Sequence, residues 1–433
     1  MGWDSGSSIR KAAVISAVAL LLLIPMTMLR GLVSERTVMR EQAVETVARG
    51  WGGRQLIAAP ILAIPVTTTG SDGTARTCDW YVMPHSADLD VELTVQKERR
   101  RLGVYEIPVY TARAHITGTF NLPAEIAALT SGDQSLTVQV ERGRLLLPVG
   151  DPRGLRGIEP AGLQLASGPL EPWGGFPVPV LAAPLRSGTE LARGATAFDL
   201  TLQIAGTESL WFLPLAHLSR VNIRGNWPDP GFTHGYLPGE RSLLPDRFTA
   251  AWQVLDLNRS FGSRWLAGAV SANQLRDSAF GVDLVQPVDL YQRAERAVKY
   301  AELFIGLSFL TLFLCEHLLH RAVHPIQYAL LGLALGTFFL LLLALAEQTG
   351  FLCAYVLAAT ALSLLLGCYL AGAFASRTAG AASGASFAAV YALLYLLVTS
   401  EDYALLAGTL GLFAMLAAAM VLTRKIDWYE TAK

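Results

Sequence analysis

The chain has 433 residues, of which 52% are hydrophobic and only 16% charged, with 34 basic and 35 acidic side chains and a net charge of -1. Charged residues make up about a quarter of an ordinary soluble protein, so this composition excludes a purely water-soluble chain and requires that the apolar excess be buried in lipid. A balance this close to neutral also excludes nucleic acid as a partner.

The first apolar stretch runs from Ala12 to Leu29, with Arg10 and Lys11 before it and Arg30 after. At 1.5 Å per residue, about 18 residues are just enough to cross a hydrocarbon core of roughly 30 Å. No pair of small residues at cleavage spacing follows the run, where Pro25, Met26, Thr27, Met28 and Leu29 stand, so the stretch reads as an uncleaved anchor, with Pro25 a point at which it bends. Val33 to Gly50 keeps a helical rhythm through Val33, Val38, Ala43, Val44 and Val47, and Trp51, Gly52 and Gly53 stop it.

Beyond that stop the pattern changes to short runs rich in Val, Ile, Leu, Thr and Tyr: Gln55–Thr68, Asp90–Gln96, Gly103–Thr119, Ser135–Val140, Leu145–Pro148 and Phe198–Ile204. Leu200, Leu202 and Ile204 alternate with Thr201 and Gln203, the period of a half-buried strand. Runs of this kind separated by Gly, Pro, Asp and Ser predict an antiparallel sandwich. Gly150–Gly188 is rich in Pro and Gly, yet its Trp173, Phe176, Val178 and Leu181 suit an ordered excursion within one β domain better than a solvated linker. Gln292–Lys299 reads as a helix leading into the membrane.

From Tyr300 to Thr423 the chain is almost wholly apolar, and its interruptions divide it into five spans: Tyr300–Leu319, Ile326–Ala346, Phe351–Phe374, Ala381–Thr399 and Tyr403–Leu422. The turns alternate. His320, Arg321 and His324, then Arg377, then Arg424 and Lys425 fall on the side that holds Arg10 and Lys11, whereas Glu347, Gln348, Glu401 and Asp402 fall on the other. Basic loops mark the cytoplasm. The expected architecture is therefore mixed: a six-span helical bundle with both termini cytoplasmic and a large, mainly-β, sandwich-like domain inserted in the periplasm between spans 1 and 2. Its boundaries are 1–30 for the N-terminus and first span, 31–298 for the periplasmic domain, 299–424 for the remaining spans and 425–433 for a cytoplasmic tail. Cys78 is the one cysteine of the outer domain, so no disulfide forms within it and its own core must stabilise it.

No residue set identifies a reaction. His317, His320 and His324 fall short of a metal site because Pro325 turns His324 out of helical geometry. Gly384-Ala385-Ser386 lacks the base a nucleophilic serine needs. Gly332 and Gly336 form a GxxxG pair suited to a close helix crossing within one chain. Ionisable groups sit at the span ends, and groups inside, such as Thr337, Tyr355, Ser363, Tyr369, Tyr391 and Tyr395, are mild, which disfavours an ion-coupled pump. Asp151, Asp229 and His234 are the candidates for a weaker hydrolase reading. No catalytic residue, metal or cofactor is expected.

Several blocks together resemble one family, the CreD inner-membrane proteins of bacteria, linked to cell-envelope integrity. In the outer domain they are Trp51-Gly52-Gly53-Arg54-Gln55, Asp151-Pro152-Arg153-Gly154, Gly225-Asn226-Trp227-Pro228 with Phe232 and Leu237-Pro238, Phe280-Gly281-Val282-Asp283, and Pro287-Val288-Asp289 with Tyr291. In the membrane part they are Phe304-Ile305-Gly306-Leu307, His324-Pro325-Ile326-Gln327-Tyr328, Glu401-Asp402-Tyr403-Ala404-Leu405-Leu406 and Asp427-Trp428-Tyr429. His317 and His320 lie outside the family pattern, and Asp229 and Gly231 depart from it. The resemblance implies a gene often controlled by a two-component system that responds to envelope stress, including β-lactam challenge; it brings no catalytic residue set.

The function expected is support of envelope integrity by a non-enzymatic protein, whose tethered periplasmic domain meets membrane lipids and envelope protein, lipid or wall material. The alternative is a transporter or channel for a lipid-like or small neutral substrate. The candidate residues are those of the family blocks: Trp51, Arg54, Asp151, Arg153, Trp227, Asp283, His324, Pro325, Gln327, Tyr328, Glu401, Asp402, Asp427, Trp428 and Tyr429.

Overall fold

The structure, a computed structural model, describes residues 17–18, 20–21, 23–69, 75–96, 100–102, 105–130, 136–159, 166–186, 194–232, 234–284, 290–301, 305–306, 308–309, 312, 323–399, 409–410, 413, 417 and 420–421. Much of the predicted spans Tyr300–Leu319 and Tyr403–Leu422 lies outside these, as do His317, His320, Glu401, Asp402, Asp427, Trp428 and Tyr429. The chain divides into two compact units, 1–40 with 288–433, and 41–287.

In chain order the helices are α1 (Leu23–Trp51), α2 (Leu122–Thr130), α3 (Ala272–Asp277), α4 (Leu290–Lys299), α5 (Pro325–Thr349), α6 (Phe351–Ala373) and α7 (Arg377–Thr399). The strands are β1 (Gln55–Ile57), β2 (Ile61–Thr69), β3 (Ala75–Val82), β4 (Ser86–Val95), β5 (Arg100–Leu102), β6 (Tyr105–Ile107), β7 (Val109–Phe120), β8 (Leu136–Val138), β9 (Arg144–Pro148), β10 (Leu155–Ile158), β11 (Glu171–Trp173), β12 (Val180–Pro184), β13 (Thr196–Thr207), β14 (Ser209–Phe212), β15 (Leu218–Gly225), β16 (Pro230–Gly231), β17 (Glu240–Leu244), β18 (Arg247–Leu255), β19 (Arg264–Leu266) and β20 (Phe280–Leu284).

Unit 41–287 is mainly β. One seven-stranded sheet has the order β10-β13-β7-β4-β15-β18-β17; a second runs β11-β12-β9-β2-β3-β19, with β8 added on β2. A four-stranded sheet, β1-β14-β20-β16, and the hairpin β5-β6 complete the described strands. Side-chain alternation builds the first sheet: in β4, Leu89, Val91 and Leu93 are buried while Asp90, Glu92 and Thr94 face out. The inward residues of both large sheets, with Ile57, Phe212, Phe280 and Val282 of the small one, share one apolar cluster. A second cluster covers the other face of the second sheet, where Tyr81 meets Phe176 and Trp265 edge-on at 5.0 and 6.1 Å. Phe176, Val178 and Leu181 are buried and Trp173 is half-buried, so the described part of the Pro- and Gly-rich segment is packed, as the sequence predicts.

Three expectations need correction. The sheets are not purely antiparallel, because β4 pairs β15 and β1 pairs β14 in parallel. Neither pair is joined by a hairpin, so nothing local dictates its direction. The predicted strand Gln55–Thr68 breaks after Ile57, and its halves join different sheets; Pro60, which has no N–H to give a ladder, lies in the break. Pro108 divides Gly103–Thr119 into β6 and β7 in the same way.

In the other unit, α5, α6 and α7 are each long and apolar enough to cross a membrane, and they coincide with three of the predicted spans. The end of the Ala12–Leu29 stretch forms the start of α1. A Cβ on Gly336 would meet Met26 at 3.1 Å, so this glycine serves a helix crossing within the chain. Farther along the same pair of helices Arg36 meets Glu347 at 3.5 Å. Both pairs advance in the same direction, so α1 and α5 run parallel.

Candidate functional site

Four family-block residues meet where α1 ends and the β domain begins. Trp51 closes the helix, and its indole N–H donates to the Tyr110 carbonyl at 3.2 Å while the Arg156 guanidinium lies 5.1 Å over its ring and donates to the Trp51 carbonyl at 2.8 Å. Gly52 then turns the chain at φ 123°, and a Cβ there would stand 2.5 Å from the Ala205 carbonyl oxygen and 2.7 Å from Gly154 Cα. No residue with a side chain fits so close a backbone crossing.

Asp151 holds the turn. One carboxylate oxygen accepts the Gly53 N–H at 2.8 Å, and both oxygens receive the Arg153 guanidinium, at 2.9 and 3.0 Å. Gln55, wholly buried, donates to the Asp151 and Ala205 carbonyls at 3.2 and 3.0 Å, and accepts the Asp151 N–H at 3.3 Å. Arg54 points the other way, onto Glu208, at 3.0 Å.

Glu208 leads into the four-stranded sheet, where the next family residues stand. Its backbone is left-handed at φ 62°, and its carbonyl accepts the Leu284 N–H at 2.7 Å. In the adjoining β14, the Trp211 indole donates to Asp283 on β20 at 2.9 Å, and the His234 ring packs edge-on against Trp211 at 4.4 Å. Tyr110 donates to the Ser209 carbonyl at 2.6 Å from a fully buried position, and burial raises its hydroxyl pKa well above the ordinary tyrosine value. Asn226 extends the β15 ladder with its side chain, accepting from the Val95 N–H and donating to the Val95 carbonyl, and buried Trp227 donates to the Asp229 carbonyl. Trp51, Arg54, Asp151 and Arg153 thus form one cluster, and Asp283 a neighbouring one across β14. Glu208, Trp211, Tyr110 and Arg156 were not singled out from the sequence; the turn-like Gly206-Thr207-Glu208 between two strands was the available signal for Glu208.

The membrane-side block has a different task. His324 caps α5: its Nδ1 accepts the Ile326 N–H at 3.3 Å, Gln327 accepts the His324 N–H at 3.0 Å, and Pro325 occupies the first turn, where a missing N–H costs nothing. Tyr328 is fully buried against Phe309, ring centroids 5.7 Å apart.

A polar network lies elsewhere in the β domain. His217 faces Asp256 at 2.8 Å and Glu125 at 3.2 Å; Glu125 also meets Arg264 at 3.0 Å, and the Ser263 hydroxyl donates to Asp256 at 2.8 Å. Ser263 therefore gives its proton to a carboxylate and is not aligned as a nucleophile on a histidine. Of the residues named for a hydrolase, Asp151 is engaged by Gly53 and Arg153, Asp229 is exposed, and His234 lies 4.0 Å from Asp283. Among the described residues no cluster of three or more His, Cys, Asp or Glu is arranged to hold a metal.

Two aspartates link these clusters to acid stability. Burial raises the Asp151 carboxyl, but the Arg153 side chain and the N–H groups of Gly53 and Arg153 outweigh it and hold the group below 3.8. Asp256 is likewise depressed below 3.8, with burial opposed by Ser263, His217 and Arg259. A depressed folded pKa contributes stability that is complete above the unfolded value and lost as pH falls through the folded one. Tryptophan-detected unfolding is therefore expected to show stability falling below about pH 4, with a shallower acid dependence in Asp151→Asn; an unchanged slope in that variant would refute the assignment to Asp151.

The outward face of the first sheet carries a second kind of feature. Arg220, Asn222 and Arg224 on β15 sit in register with Asp88, Asp90 and Glu92 on β4, at 3.1, 3.0 and 3.4 Å. Beside them a polar cavity of about 590 Å³ is bordered by Arg113, His115, Glu159 and Asp199, themselves paired.

Comparison with known proteins gives one consistent result. The sequence model of the family described as "Inner membrane protein CreD" matches residues 7–429. The inner membrane protein CreD of Escherichia coli (strain K12) is 30% identical over 431 residues, covering 97% of this chain and 93% of that relative.

Proposed function

This chain belongs to the CreD family of inner-membrane proteins, and from that membership we propose that it supports envelope integrity and the envelope-stress response through a sandwich-like periplasmic domain tethered at both ends to the membrane. The observation that carries the reading is the clamp around Asp151. Family residues from segments about a hundred positions apart lock the end of α1 into the β domain, and none is arranged as a reaction centre. They fix the last turns of α1 within the domain. The polar face around Arg224 and His115, which borders a cavity of about 590 Å³, is the surface assigned to envelope protein, lipid or wall material.

The topology proposed with it is six spans, both termini cytoplasmic and the domain inserted between spans 1 and 2. Parallel α1 and α5 support this, since parallel neighbours require the chain to return across the membrane between them. The basic turns support the orientation. A chain in which 31–298 is replaced by a flexible linker is expected to insert but not restore tolerance to β-lactam or detergent stress in a deletion strain; restoration would overturn the proposal. The second reading, a path for a lipid-like substrate, has one observation of its own in the groove between α6 and α7.

A further inference from the structure

The second large sheet carries a cleft at its β11 edge that plays no part in the clamp around Asp151. In the ladder β9-β12-β11, Arg144 faces Pro184, Ala182 stands between Leu146 and Glu171, and Val180 faces Trp173. Facing residues, and residues two apart along a strand, share one side of a sheet, so Arg144, Ala182, Glu171 and Trp173 lie on the same face. The second apolar cluster, to which Leu146, Val180 and Ala182 belong, covers that face. The cover stops short of Arg144 and Glu171, which are exposed. The short turn Val140–Arg142 brings Glu141 and Arg142 alongside, and the result is a cleft of about 480 Å³, within the roughly 300–1,000 Å³ typical of ligand sites.

Opposite charges line this cleft without meeting. Arg142 and Arg144 stand with Glu141 and Glu171, yet among the described residues none of the four makes an ion pair; the Arg142 guanidinium donates to Gln139 instead, at 3.2 Å. Elsewhere on the domain, Arg113, Arg220, Arg224 and Arg264 meet carboxylates at 2.7, 3.1, 3.4 and 3.0 Å. Trp173 stands at the other end of the cleft, half-buried and held in place. Tyr81 lies edge-on to it at 6.4 Å, the Tyr81 hydroxyl donates to the Gly175 carbonyl, and a Cβ on Gly175 would come within 2.5 Å of the indole. A ring fixed beforehand loses little entropy when a ligand packs on it. Trp173 and Arg144 are two strands and four residues apart, about 16 Å by ordinary strand spacings, which is longer than one sugar ring.

The lining selects among ligands. A purely apolar molecule would leave four charges unanswered, and a small inorganic anion would suit the arginines but not Glu141 and Glu171. Guanidinium groups recognise carboxylates, carboxylates accept from hydroxyl and amide donors, and an indole packs on the apolar side of a ring. We propose that the cleft binds a glycan of N-acetylated sugars that carries carboxylates, the chemistry of the bacterial wall polymer. Arg142 and Arg144 receive the carboxylate, Glu141 and Glu171 accept from the hydroxyl and amide groups, and a sugar ring packs against Trp173. The inference rests on the envelope-binding reading and deepens it, naming a ligand class and a site separate from the polar face around Arg224.

The test is a ligand-observed NMR titration of the full chain in detergent with the disaccharide N-acetylglucosaminyl-N-acetylmuramic acid. Diacetylchitobiose, which has similar rings and no carboxylate, is the neutral counterpart. Wild-type protein is expected to bind the acidic disaccharide with a Kd of about 1 mM or lower and the neutral one roughly tenfold more weakly, since a charge-assisted contact is missing. Arg142→Gln with Arg144→Gln should abolish that preference, Trp173→Leu should weaken both sugars roughly tenfold, and Arg241→Gln, on β17 outside the cleft, should change neither. No binding by folded wild-type protein, equal affinity for the two sugars, or wild-type affinity in either folded cleft variant would overturn the proposal. Arg142 and Arg144 are exposed and free of carboxylate partners, so their variant keeps the test decisive even where Trp173→Leu, beside Tyr81, fails to fold. Replacement of 31–298 by a linker reads stress tolerance and not sugar binding, so a failure here strikes the cleft alone and leaves the envelope-binding reading to that result.

Discussion

Asp151→Ala is expected to lower the stability of the β domain by about 2–4 kcal/mol, because it removes the common acceptor of the Gly53 N–H and the Arg153 guanidinium. The carboxylate is only 12% exposed, so the Gly53 N–H, held beside the tight Gly52 crossing, has little access to replacement water. For a unit of this size the loss corresponds to a drop of about 5–15 °C in the unfolding midpoint. Arg153→Ala should cost less, about 1 kcal/mol, since its side chain is 59% exposed and Asp151 keeps its backbone donors. The two midpoints, measured by tryptophan fluorescence on the full chain in detergent, test the order. Equal losses would mean that the ion pair, not the backbone bond, carries the clamp.

Gly281→Ala is expected to be at least as damaging, by ~3 kcal/mol, because the added methyl would fall onto the Leu210 carbonyl oxygen and lie 2.8 Å from Trp211 Cα. Both neighbours are backbone of β14, which is itself held by β1 in parallel and by β20 in the register Leu210↔Val282. No flexible side chain can yield, so the β14–β20 ladder must open, and with it the bond from Trp211 to Asp283. The β-band circular dichroism melt should move down, and Trp211 should become accessible to a neutral fluorescence quencher. A variant with unchanged melting and quenching would show that the small sheet can shift as a unit, and would remove it from the account of how the family blocks are held.

Part of this architecture was legible in the sequence for simple reasons. Crossing a hydrocarbon layer demands about 20 apolar residues in a row, so α5, α6 and α7 appear as uninterrupted runs. His324, Pro325 and Gln327 announce a helix start because capping acts between residues at most three apart. Strand β13 was readable because Leu200, Leu202 and Ile204 face one core while Asp199 and Gln203 face out. Pro60 and Pro108 also announced themselves, but their consequence, a change of sheet or a broken strand, depends on which ladder the missing N–H would have joined.

The candidate site was legible only as a set of residue blocks. Nothing local indicates that Asp151 accepts from Gly53, that Gln55 bridges to Ala205, or that Trp211 reaches Asp283. The parallel pairings of β1 with β14 and β4 with β15 are equally hidden, since an alternating strand satisfies its burial in either direction and its direction is chosen by distant partners. The sequence by itself determined the apolar spans, the alternation of basic and acidic turns, the mainly-β character of 41–287 and the helix caps, all of which depend on composition and spacing within a turn or a strand. Tertiary structure alone decided that widely separated blocks form one clamp at the end of α1, and that Gly367 and Gly384 bring α6 and α7 into backbone contact. Those outcomes depend on which backbones approach closely enough to exclude water, and that is a property of the packed chain, not of any segment within it.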